Sequence, residues 1–378
     1  MKKTKKISIV GNGIGGISTA IALDIYGKFF DIIDNNEKIE VYYDPSIKIE
    51  KVGQGTTLDV FQNLSSCISS DWNFNIIKAT PKTGIMYEGW GKKNDKIFHS
   101  FTQDSVSAHY DPSVVGEILF NSPKFKLIEK NISSINDIDS DYIFDCRGKH
   151  LNNLDNYKKL VNPLNSVICH RKNGRDYTLN YTRTVATPDG WCFVIPTTDY
   201  VSYGYLYNNT ITSKEEASEN FAKLFDAKVD FSLNFDNYVA KNIWESDRVI
   251  LNGNRYAFIE PMEATSSSIY FTLAKQALAV IDGKQSKQDM QTVMSSQINE
   301  IEMFILWHYQ FGSKYDTPFW KYAKSLPFKT NEKFESFVKY SRENDYTTLI
   351  RNKLFNYPEI DFGPWPPNSF KQWIDGVE

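Results

Sequence analysis

The sequence predicts an α/β fold in which a Rossmann-like nucleotide-binding domain is built from separated segments. A short β-type run, Lys6–Val10, leads directly into a glycine-rich turn and a helix of small residues. Two later apolar runs, 141–148 and 248–253, have the length and composition of strands that return to the same sheet. Between them, residues 165–207 are rich in Tyr, Thr and Val and predict an inserted β-rich sheet. From residue 287 onward the pattern is helical, which predicts a C-terminal helical part.

The turn after the first strand reads Gly-Asn-Gly-Ile-Gly-Gly. Gly11 permits the tight turn, Gly13 lets a pyrophosphate approach the backbone, and Gly16 lets the helix pack close to the strand. A second strand, 38–43, ends at Asp44, which can accept a ribose hydroxyl. The glycine pattern alone is a weak signal, but the order of strand, turn, helix, strand and acid predicts a dinucleotide site.

We predict one integrated unit rather than separate domains, because no linker, repeat or low-complexity segment interrupts the chain. The segments fall into three classes by their pattern. They are the nucleotide-binding segments, about 1–60, 120–160 and 245–285; the β-rich substrate-side segments, about 61–119 and 161–244; and the C-terminal helical segment, about 286–378.

Composition excludes several classes of function. The chain has 378 residues, 41% of them hydrophobic and 24% charged, as in soluble globular proteins. A net charge of −3 without a long basic stretch argues against a nucleic-acid partner. The sequence contains no run of 18 apolar residues, so we expect no membrane span. The apolar stretch Ile7–Val10 is too short for the apolar part of a signal peptide. We therefore expect a cytoplasmic protein.

The cysteines and histidines show no spacing typical of metal ligands. The four cysteines have no Cys-x-x-Cys pair and are expected to be buried, reduced thiols. The five histidines are equally scattered, so the sequence predicts no metal site. These residues are Cys67, Cys146, Cys169 and Cys192, and His99, His109, His150, His170 and His308.

The octapeptide Ile259–Ser266 places a proline turn, a carboxylate and small hydroxyl residues at the start of an apolar helix. The backbone N–H groups of Thr265, Ser266 and Ser267 would lack intrahelical partners, so they could hold an anion or the edge of a cofactor. Glu263 would be held on the turn beside them. The alternative interpretation is an ordinary helix start with an acidic residue near the dipole.

Several stretches resemble the flavin-dependent halogenases, that is, the tryptophan halogenase family, in the family's own order. The similarity covers about residues 7–320 and implies a GR2-type FAD-binding fold. The similar stretches are 11–20, Lys51–Thr56, Ala79–Trp90, Asp145–Gly148, Gly190–Pro196, Tyr203–Tyr207, Ile259–Ser266, Trp307–Tyr309 and Thr317–Trp320.

The resemblance implies an FADH2-dependent enzyme that forms hypohalous acid from chloride or bromide at the flavin. Lys82 would relay the halogen to an electron-rich aromatic of indole, phenol or pyrrole type, and Glu263 would orient the oxidant or accept a proton. Thr265 and Ser266 would hold the halide. Trp191, Phe193 and Pro196 would form a wall between flavin and substrate. The implied cofactor-binding residues are Gly11, Gly13, Gly15, Gly16, Ala20, Asp44, Gly53, Gln54, Asp145, Gly253 and Ser267.

The chain departs from the family pattern at several positions. Phe193 replaces a tryptophan, Gln54 a glutamate and Ser266 a glycine, while Asn254 follows Gly253 where many flavoproteins have aspartate. After Trp320 the chain is much shorter than in the enzymes that act on free tryptophan. We therefore expect an open pocket, and free tryptophan is in doubt as the substrate.

A separate flavin reductase is the expected partner, because no second dinucleotide motif is present for NAD(P)H. The sequence does not determine the oligomeric state, and a homodimer is one possibility. Two alternative functions remain. One is a flavin-dependent monooxygenase of the same superfamily that acts on a small aromatic or on a side chain of a partner protein. The other is a non-catalytic FAD-binding protein.

Overall fold

The structure, a computed structural model, describes residues 4–34, 37–47, 54–56, 63–64, 66–68, 77–101, 107–149, 153–354, 362 and 365–377. The chain divides into two compact units. Unit 1 comprises Met1–Thr80, Ser107–Leu160 and Asp236–Ile301, and unit 2 comprises Pro81–Val106, Val161–Phe235 and Glu302–Glu378.

The strands of the described ranges are short, and each has between two and eight residues. They are β1 (Ile7–Val10), β2 (Ile39–Tyr43), β3 (Gln54–Gly55), β4 (Thr80–Lys82), β5 (Gly84–Glu88), β6 (Lys96–Ser100), β7 (Ser107–Tyr110), β8 (Phe125–Glu129), β9 (Tyr142–Asp145), β10 (Tyr157–Lys159), β11 (Ser166–Asn173), β12 (Thr182–Thr187), β13 (Gly190–Pro196), β14 (Tyr200–Tyr207), β15 (Phe231–Asn234), β16 (Tyr238–Ala240), β17 (Val249–Leu251) and β18 (Ala257–Phe258).

The α-helices lie mainly in the second half of the chain, as its sequence pattern predicts. They are α1 (Ile14–Ala22), α2 (Pro112–Phe120), α3 (Lys214–Phe225), α4 (Ser266–Ile281), α5 (Lys287–Phe311), α6 (Pro318–Ser325), α7 (Glu332–Glu343), α8 (Tyr346–Leu354) and α9 (Pro367–Val377). None of the described helices is long and apolar enough to cross a membrane.

Unit 1 is built on a five-stranded sheet of order β17-β9-β1-β2-β8, in which every neighbouring pair is parallel. All four residues of β1 are buried, as expected for a central strand of a parallel sheet that is covered on both faces. The returns predicted at 141–148 and 248–253 are β9 and β17, so the Rossmann-like α/β prediction is confirmed. Unit 1 also contains a small antiparallel sheet, β10-β16-β18, and the antiparallel pair β3/β7.

Helix α1 leaves the glycine turn and packs against α4. Its residues from Gly15 to Ala22 are all buried, because both Gly and Ala allow the helix to lie close to its neighbours. Asn252, at the end of β17, donates hydrogen bonds from Nδ2 to Thr19 Oγ1 at 2.8 Å and to the carbonyl of Tyr270 at 2.9 Å. The side chain of Asn252 therefore ties α1 and α4 together.

Unit 2 contains a seven-stranded sheet of order β15-β11-β14-β13-β12-β5-β6. The β12/β5 pair is parallel and the other pairs are antiparallel. β13 lies in its middle, and all seven of its residues are buried. On one face Cys192 and Tyr205 pack against Ala217 and Phe221 of α3. The four cysteines are buried, and none of them forms a disulfide bond, as predicted.

Candidate active site

Unit 1 contains a cavity of about 440 Å³ at the carboxyl end of β1. Residues 11–15 of the glycine turn line it, together with Tyr42, Tyr43 and Asp44 at the end of β2. The carboxyl end of a parallel sheet is where α/β folds bind their ligands. The cavity therefore lies where the sequence predicts the dinucleotide.

The three key glycines of the turn differ in their backbone conformation and in the space around them. Gly11 has φ +107°, a conformation that residues with a side chain rarely adopt. A Cβ on Gly13 would meet no atom within 4 Å, so a ligand can approach this backbone. A Cβ on Gly16 would lie 2.0 Å from the carbonyl oxygen of Gly11, so only glycine fits there.

The backbones of Gly15 and Gly253 lie in close contact with each other. A Cβ on Gly15 would lie 2.5 Å from Cα of Gly253, which itself has φ +59°. Gly15 lines the cavity, but Gly253 and the fully buried Ala20 do not. Gly253 and Ala20 thus take part in the packing of α1, and their cofactor role stays a prediction.

Asp44 and Gln54 both line the cavity. Asp44 Oδ1 accepts hydrogen bonds from Ser46 N and Oγ at 2.9 and 2.6 Å, and Oδ2 accepts one from Asn131 Nδ2 at 2.6 Å. The hydrogen bonds from Ser46 hold the pKa of Asp44 below its usual value, so the carboxylate is an acceptor at neutral pH. Gly53 lies outside the described residues.

Asp145 does not line the cavity, but it fixes a residue that does. Its fully buried carboxylate accepts hydrogen bonds from Nε and Nη2 of Arg147, both at 2.8 Å, and from Nε of Arg255 at 3.0 Å. Arg147 lines the cavity and was not singled out from the sequence. The signal was present, because the arginine stands inside the Asp-Cys-Arg-Gly motif directly after a parallel strand.

The Ile259–Ser266 turn starts α4 as predicted. A 3-10 turn, Pro261–Glu263, is closed by Ala264 in the left-handed conformation at φ 51°. Glu263 is 4% exposed. The first bond of the helix runs from Ile269 N to Thr265 O at 2.9 Å, so the N–H groups of Ser266 and Ser267 precede it.

Ser267 adds a second feature to this helix start. Its side chain is 3% exposed, and its hydroxyl oxygen has no hydrogen-bond partner among the described residues. Buried hydroxyl groups are normally paired. An N-terminus with spare N–H groups and an unpaired buried hydroxyl can bind an anion.

Lys82 lies in unit 2, at the end of β4, and only 3% of it is exposed. Its Nζ lies 5.3 Å from the centroid of the Phe101 ring. The neighbouring Thr83 receives a backbone hydrogen bond from Phe101 N at 3.0 Å and donates one to Asn180 O at 2.8 Å. These bonds hold the backbone beside the lysine in place.

His99, on β6, is the second titratable residue of this part of unit 2, and the sequence interpretation did not single it out. It is 1% exposed, and burial lowers its pKa to about 3, with Lys82 and His308 lowering it further. Phe101 follows the last residue of β6, and the two rings lie 5.5 Å apart. The spacing of two residues between His99 and Phe101 is a pattern that the sequence offers.

Trp191 and Phe193 lie on one face of β13, with ring centroids 6.2 Å apart. The indole N–H of Trp191 donates a hydrogen bond to Tyr309 Oη at 3.0 Å. Pro196 stands an odd number of residues away, so strand alternation places it on the opposite face, with Cys192. The structure thus brings together two of the three predicted wall residues.

No group of three or more candidate metal ligands occurs among the residues that the structure describes. Unit 2 contains the buried Lys82 and two buried histidines, His99 and His308, whose pKa values are lowered by burial. Unit 1 contains the cavity at the carboxyl end of β1 and the start of α4. The fold and these features together define an α/β protein of the nucleotide-binding type with a buried lysine.

Comparison with known proteins narrows this class. The family model described as tryptophan halogenase matches residues 6–113 and 133–361. The chain therefore belongs to the tryptophan halogenase family, and the resemblance found in its motifs is confirmed. The tryptophan 7-halogenase KtzQ of Kutzneria sp. (strain 744) is 26% identical over 159 residues, which are 39% of this chain and 29% of KtzQ.

Tryptophan 7-halogenase RebH of Lentzea aerocolonigenes is 29% identical over 158 residues, again 39% of this chain and 29% of RebH. The matched part thus spans less than a third of these curated relatives. The solved structure of the tryptophan 6-halogenase SttH from Streptomyces toxytricini superposes with a TM-score of 0.77 at 16% identity. That similarity covers 98% of this chain and 90% of SttH, and it supports the same fold.

Proposed function

We propose that this protein is an FADH2-dependent halogenase that transfers chlorine or bromine to an electron-rich aromatic of indole, phenol or pyrrole type. The observation that carries the proposal is Lys82, a lysine that is 97% buried beside aromatic side chains in a chain of this family. A buried lysine is unusual, because burial removes the hydration of its ammonium group.

The cavity of unit 1 fits the pyrophosphate of FAD. The open backbone at Gly13 and the N-terminus of α1 would bind its phosphates, and Asp44 would accept a ribose hydroxyl. Gln54 would contact the cofactor from β3, and the same role for Gly53 remains a prediction. Reduced FAD, when bound, would supply the activation of O2 that oxidises the halide.

The start of α4 is the proposed halide site. The backbone N–H groups at Thr265 and Ser266 point along the helix axis, where the positive end of the dipole stabilises an anion. The unpaired, buried hydroxyl of Ser267 is the further donor available there. Neither the backbone N–H groups nor the hydroxyl group distinguishes chloride from bromide.

Lys82 would hold the electrophilic halogen. Its amine either hydrogen-bonds hypohalous acid or forms a haloamine with loss of water. In both cases the carbon–halogen bond forms as the halogen leaves oxygen or nitrogen, and the ring then loses one proton. The unprotonated amine is the form that would react with the oxidant.

Glu263 would orient hypohalous acid or accept the proton that leaves the ring. The rigid turn holds it, since Pro261 limits the backbone on one side and the left-handed Ala264 ends the turn on the other. Trp191 and Phe193 would separate flavin from substrate and so disfavour hydroxylation. Pro196 would support this wall only from the other face of β13.

A separate flavin reductase in the cytoplasm would supply FADH2. The test is to combine the purified protein with a generic flavin reductase, NADH, FAD, bromide and a panel of indoles and phenols. Mass spectrometry should show the bromine isotope pair in the product. Without the reductase, the protein should consume neither NADH nor NADPH.

Hydroxylated products alone, formed in the presence of halide, would instead identify a monooxygenase and overturn the proposal. A protein that binds FAD but forms no product from any member of the panel would identify a non-catalytic flavoprotein. Light scattering of the same preparation would establish whether the protein is a homodimer.

A further inference from the structure

The indole of Trp191 is hydrogen-bonded to a tyrosine that lies on another element of unit 2. Its Nε1–H donates to Tyr309 Oη on α5 at 3.0 Å, across 118 residues of sequence. Both side chains are fully buried. Since a buried indole N–H needs an acceptor, this bond decides which way the polar edge of the Trp191 ring points.

Aromatic packing holds Tyr309 itself in place. The rings of Trp90 and Trp320 lie 6.2 and 5.8 Å from its ring. Each of the two indoles also bonds to a backbone carbonyl of β12. Trp90 Nε1 donates to Thr184 O at 2.9 Å, and Trp320 Nε1 donates at 2.8 Å to Thr187 O. Because β12 pairs with β13, the tyrosine is fixed relative to the strand that carries the indole.

The turn before α6 is attached to the same pair of strands. Thr317, which caps α6, donates from Oγ1 to the carbonyl of Pro188 at 2.6 Å. Pro188 lies in the turn between β12 and β13. The two late motifs, Trp307–Tyr309 and Thr317–Trp320, thus meet the β12–β13 hairpin, although the proposed function assigns neither motif a role.

The second aromatic residue of the wall, Phe193, is placed by a different device. It stands opposite Gly204 of β14. A Cβ on Gly204 would lie 2.0 Å from Cζ of the Phe193 ring, so this ring lies on the bare backbone of the glycine. Phe193 has no polar side-chain atom and is placed by shape, whereas Trp191 is oriented by a hydrogen bond.

We propose that Tyr309 is a positioning residue, whose hydroxyl oxygen fixes the orientation of the Trp191 indole and so holds the wall in one shape. This inference rests on the proposed halogenase function, because the wall is what disfavours hydroxylation. The torsion between Cβ and the indole ring is broad and roughly twofold, so packing alone leaves two flipped orientations. A hydrogen bond at the one polar atom of the ring selects one of them.

Tyr309→Phe removes the acceptor and keeps the ring. The full-length protein is supplied with FAD, a flavin reductase, NADH, bromide and indole. The fraction of oxidised FADH2 that yields brominated indole should fall about fivefold, as expected for the loss of one hydrogen bond. Hydroxylated indole and hydrogen peroxide should account for the rest.

Tyr205→Phe is the matched control. Tyr205 is also fully buried in unit 2, and its hydroxyl donates to Asp189 Oδ2 at 2.5 Å. Its ring packs with Cys192 against α3, on the face of the sheet opposite to Trp191. The control loses the same group from the same kind of residue, and it should keep the wild-type yield of brominated indole.

A double-mutant cycle shows whether Tyr309 acts through the indole N–H. Trp191→Phe removes that N–H, so adding Tyr309→Phe to it should lower the yield no further. A tyrosine that only supports the fold would lower the yield by the same factor in both backgrounds. Trp191→Phe alone breaks the bond from the donor side, and its yield should fall at least as far as that of Tyr309→Phe.

A second readout needs neither flavin nor halide. In protein labelled with ¹⁵N-tryptophan, the Nε1–H resonance of Trp191 is the one that disappears in Trp191→Phe. Its proton resonance should move to higher field in Tyr309→Phe, because the hydrogen bond is lost. The same resonance should stay in place in Tyr205→Phe.

Failure of this inference and failure of the proposed function give different results. A Tyr309→Phe protein with the wild-type yield, equal losses in both backgrounds of the cycle or an unmoved Trp191 resonance would overturn the role of Tyr309 and leave the halogenase proposal intact. Wild-type protein that forms hydroxylated indole without any brominated product would overturn the halogenase proposal, and the role of Tyr309 in halogenation with it.

Discussion

Asp145 and Arg147 form a two-point ion pair in which the carboxylate is fully buried and the guanidinium reaches the cavity of unit 1. Both bonds from Arg147 to the carboxylate measure 2.8 Å, and its Nη1 donates to the carbonyl of Ile132 at 2.7 Å. Asp145 raises the pKa of Arg147, so the guanidinium stays charged. A cation held this firmly at the cavity is suited to bind the phosphates of a dinucleotide.

The first prediction follows from this pair. Arg147→Ser should weaken FAD binding about tenfold or more, because it removes a charge-assisted hydrogen bond. The loss should shrink in high salt, where screening reduces the contribution of the charge. FAD titration at low and high salt measures both effects.

Arg248→Ser is the control for this substitution. Arg248 also donates to backbone carbonyls of unit 1, those of Ile138 and Ser140 at 3.0 Å, but it does not line the cavity. Its substitution should leave FAD affinity unchanged. An Arg147→Ser protein with wild-type affinity would show that Arg147 has only a structural role.

The second prediction separates two glycines of the same turn. Gly15→Ala should lower the free energy of unfolding by about 1–3 kcal/mol, because its Cβ would meet the backbone of Gly253 at 2.5 Å. Gly13→Ala should preserve stability, since a Cβ there meets nothing within 4 Å, yet it should weaken FAD binding by obstructing the open backbone. Urea unfolding and FAD titration measure the two effects; equal stability losses would contradict the assignment.

Much of unit 1 was predictable because its signals are local. The glycine turn, the strand that ends at Asp44 and the returns at β9 and β17 each occupy a few consecutive residues. The contact of Gly15 with Gly253 was not predictable, because it depends on how α1 and the end of β17 meet after folding. The role of Arg147 likewise needed the structure to show its guanidinium at the cavity.

The residues of the candidate site likewise divide into those that the sequence predicted and those that only the structure revealed. Lys82 and Glu263 were found through motifs, and the structure shows both to be buried. His99 was missed because its environment is assembled from β6 and from Trp365 and Ser369, which are far away in sequence. Strand alternation alone predicts that His99 and Phe101 share a face, but it does not predict a ring stacked on the histidine.

The third prediction concerns acid. Burial lowers the pKa of His99 to about 3 and that of His308 to about 4, whereas the ordinary value is 6.5. Below pH 6.5 the unfolded chain binds protons that the folded state does not, so stability falls as the pH drops from 6.5 towards 4. At pH 5 each histidine should contribute about 2 kcal/mol to this loss.

Urea unfolding at pH 7 and pH 5 measures the acid sensitivity. His308→Phe keeps a ring against Tyr87, with which His308 stacks at 5.7 Å, but removes the titration. The variant should lose about half of the contribution that the two histidines make to the pH dependence. If wild type and variant lost the same stability between the two pH values, His308 would not titrate on unfolding as proposed.

The fourth prediction tests the relay. Lys82→Met keeps an apolar chain beside Phe101 and removes the amine, so halogenated product should fall at least about a hundredfold, or about 2.7 kcal/mol in transition-state stabilisation. Oxidation of the halide should continue, and an external trap should collect the hypohalous acid that is released. Lys96→Ala, a change at an exposed position of β6, should leave product formation unchanged. Wild-type rates in Lys82→Met would overturn the role of the lysine.

The fifth prediction distinguishes Glu263 from Lys82. Glu263→Gln removes the charge but preserves the size and part of the hydrogen bonding of a side chain that is 4% exposed. Product formation should therefore fall about tenfold, less than in Lys82→Met, because the halogen is still transferred while its orientation or the final proton removal is impaired.

Glu263→Asp retains the charge on a shorter side chain. Product formation in this variant should fall by a similar factor if the position of the carboxylate matters as much as its charge. The ratio of trapped hypohalous acid to halogenated product should rise in Glu263→Gln but remain below that of Lys82→Met. A Glu263→Gln protein with full activity and an unchanged ratio would show that the carboxylate serves only the turn that begins α4.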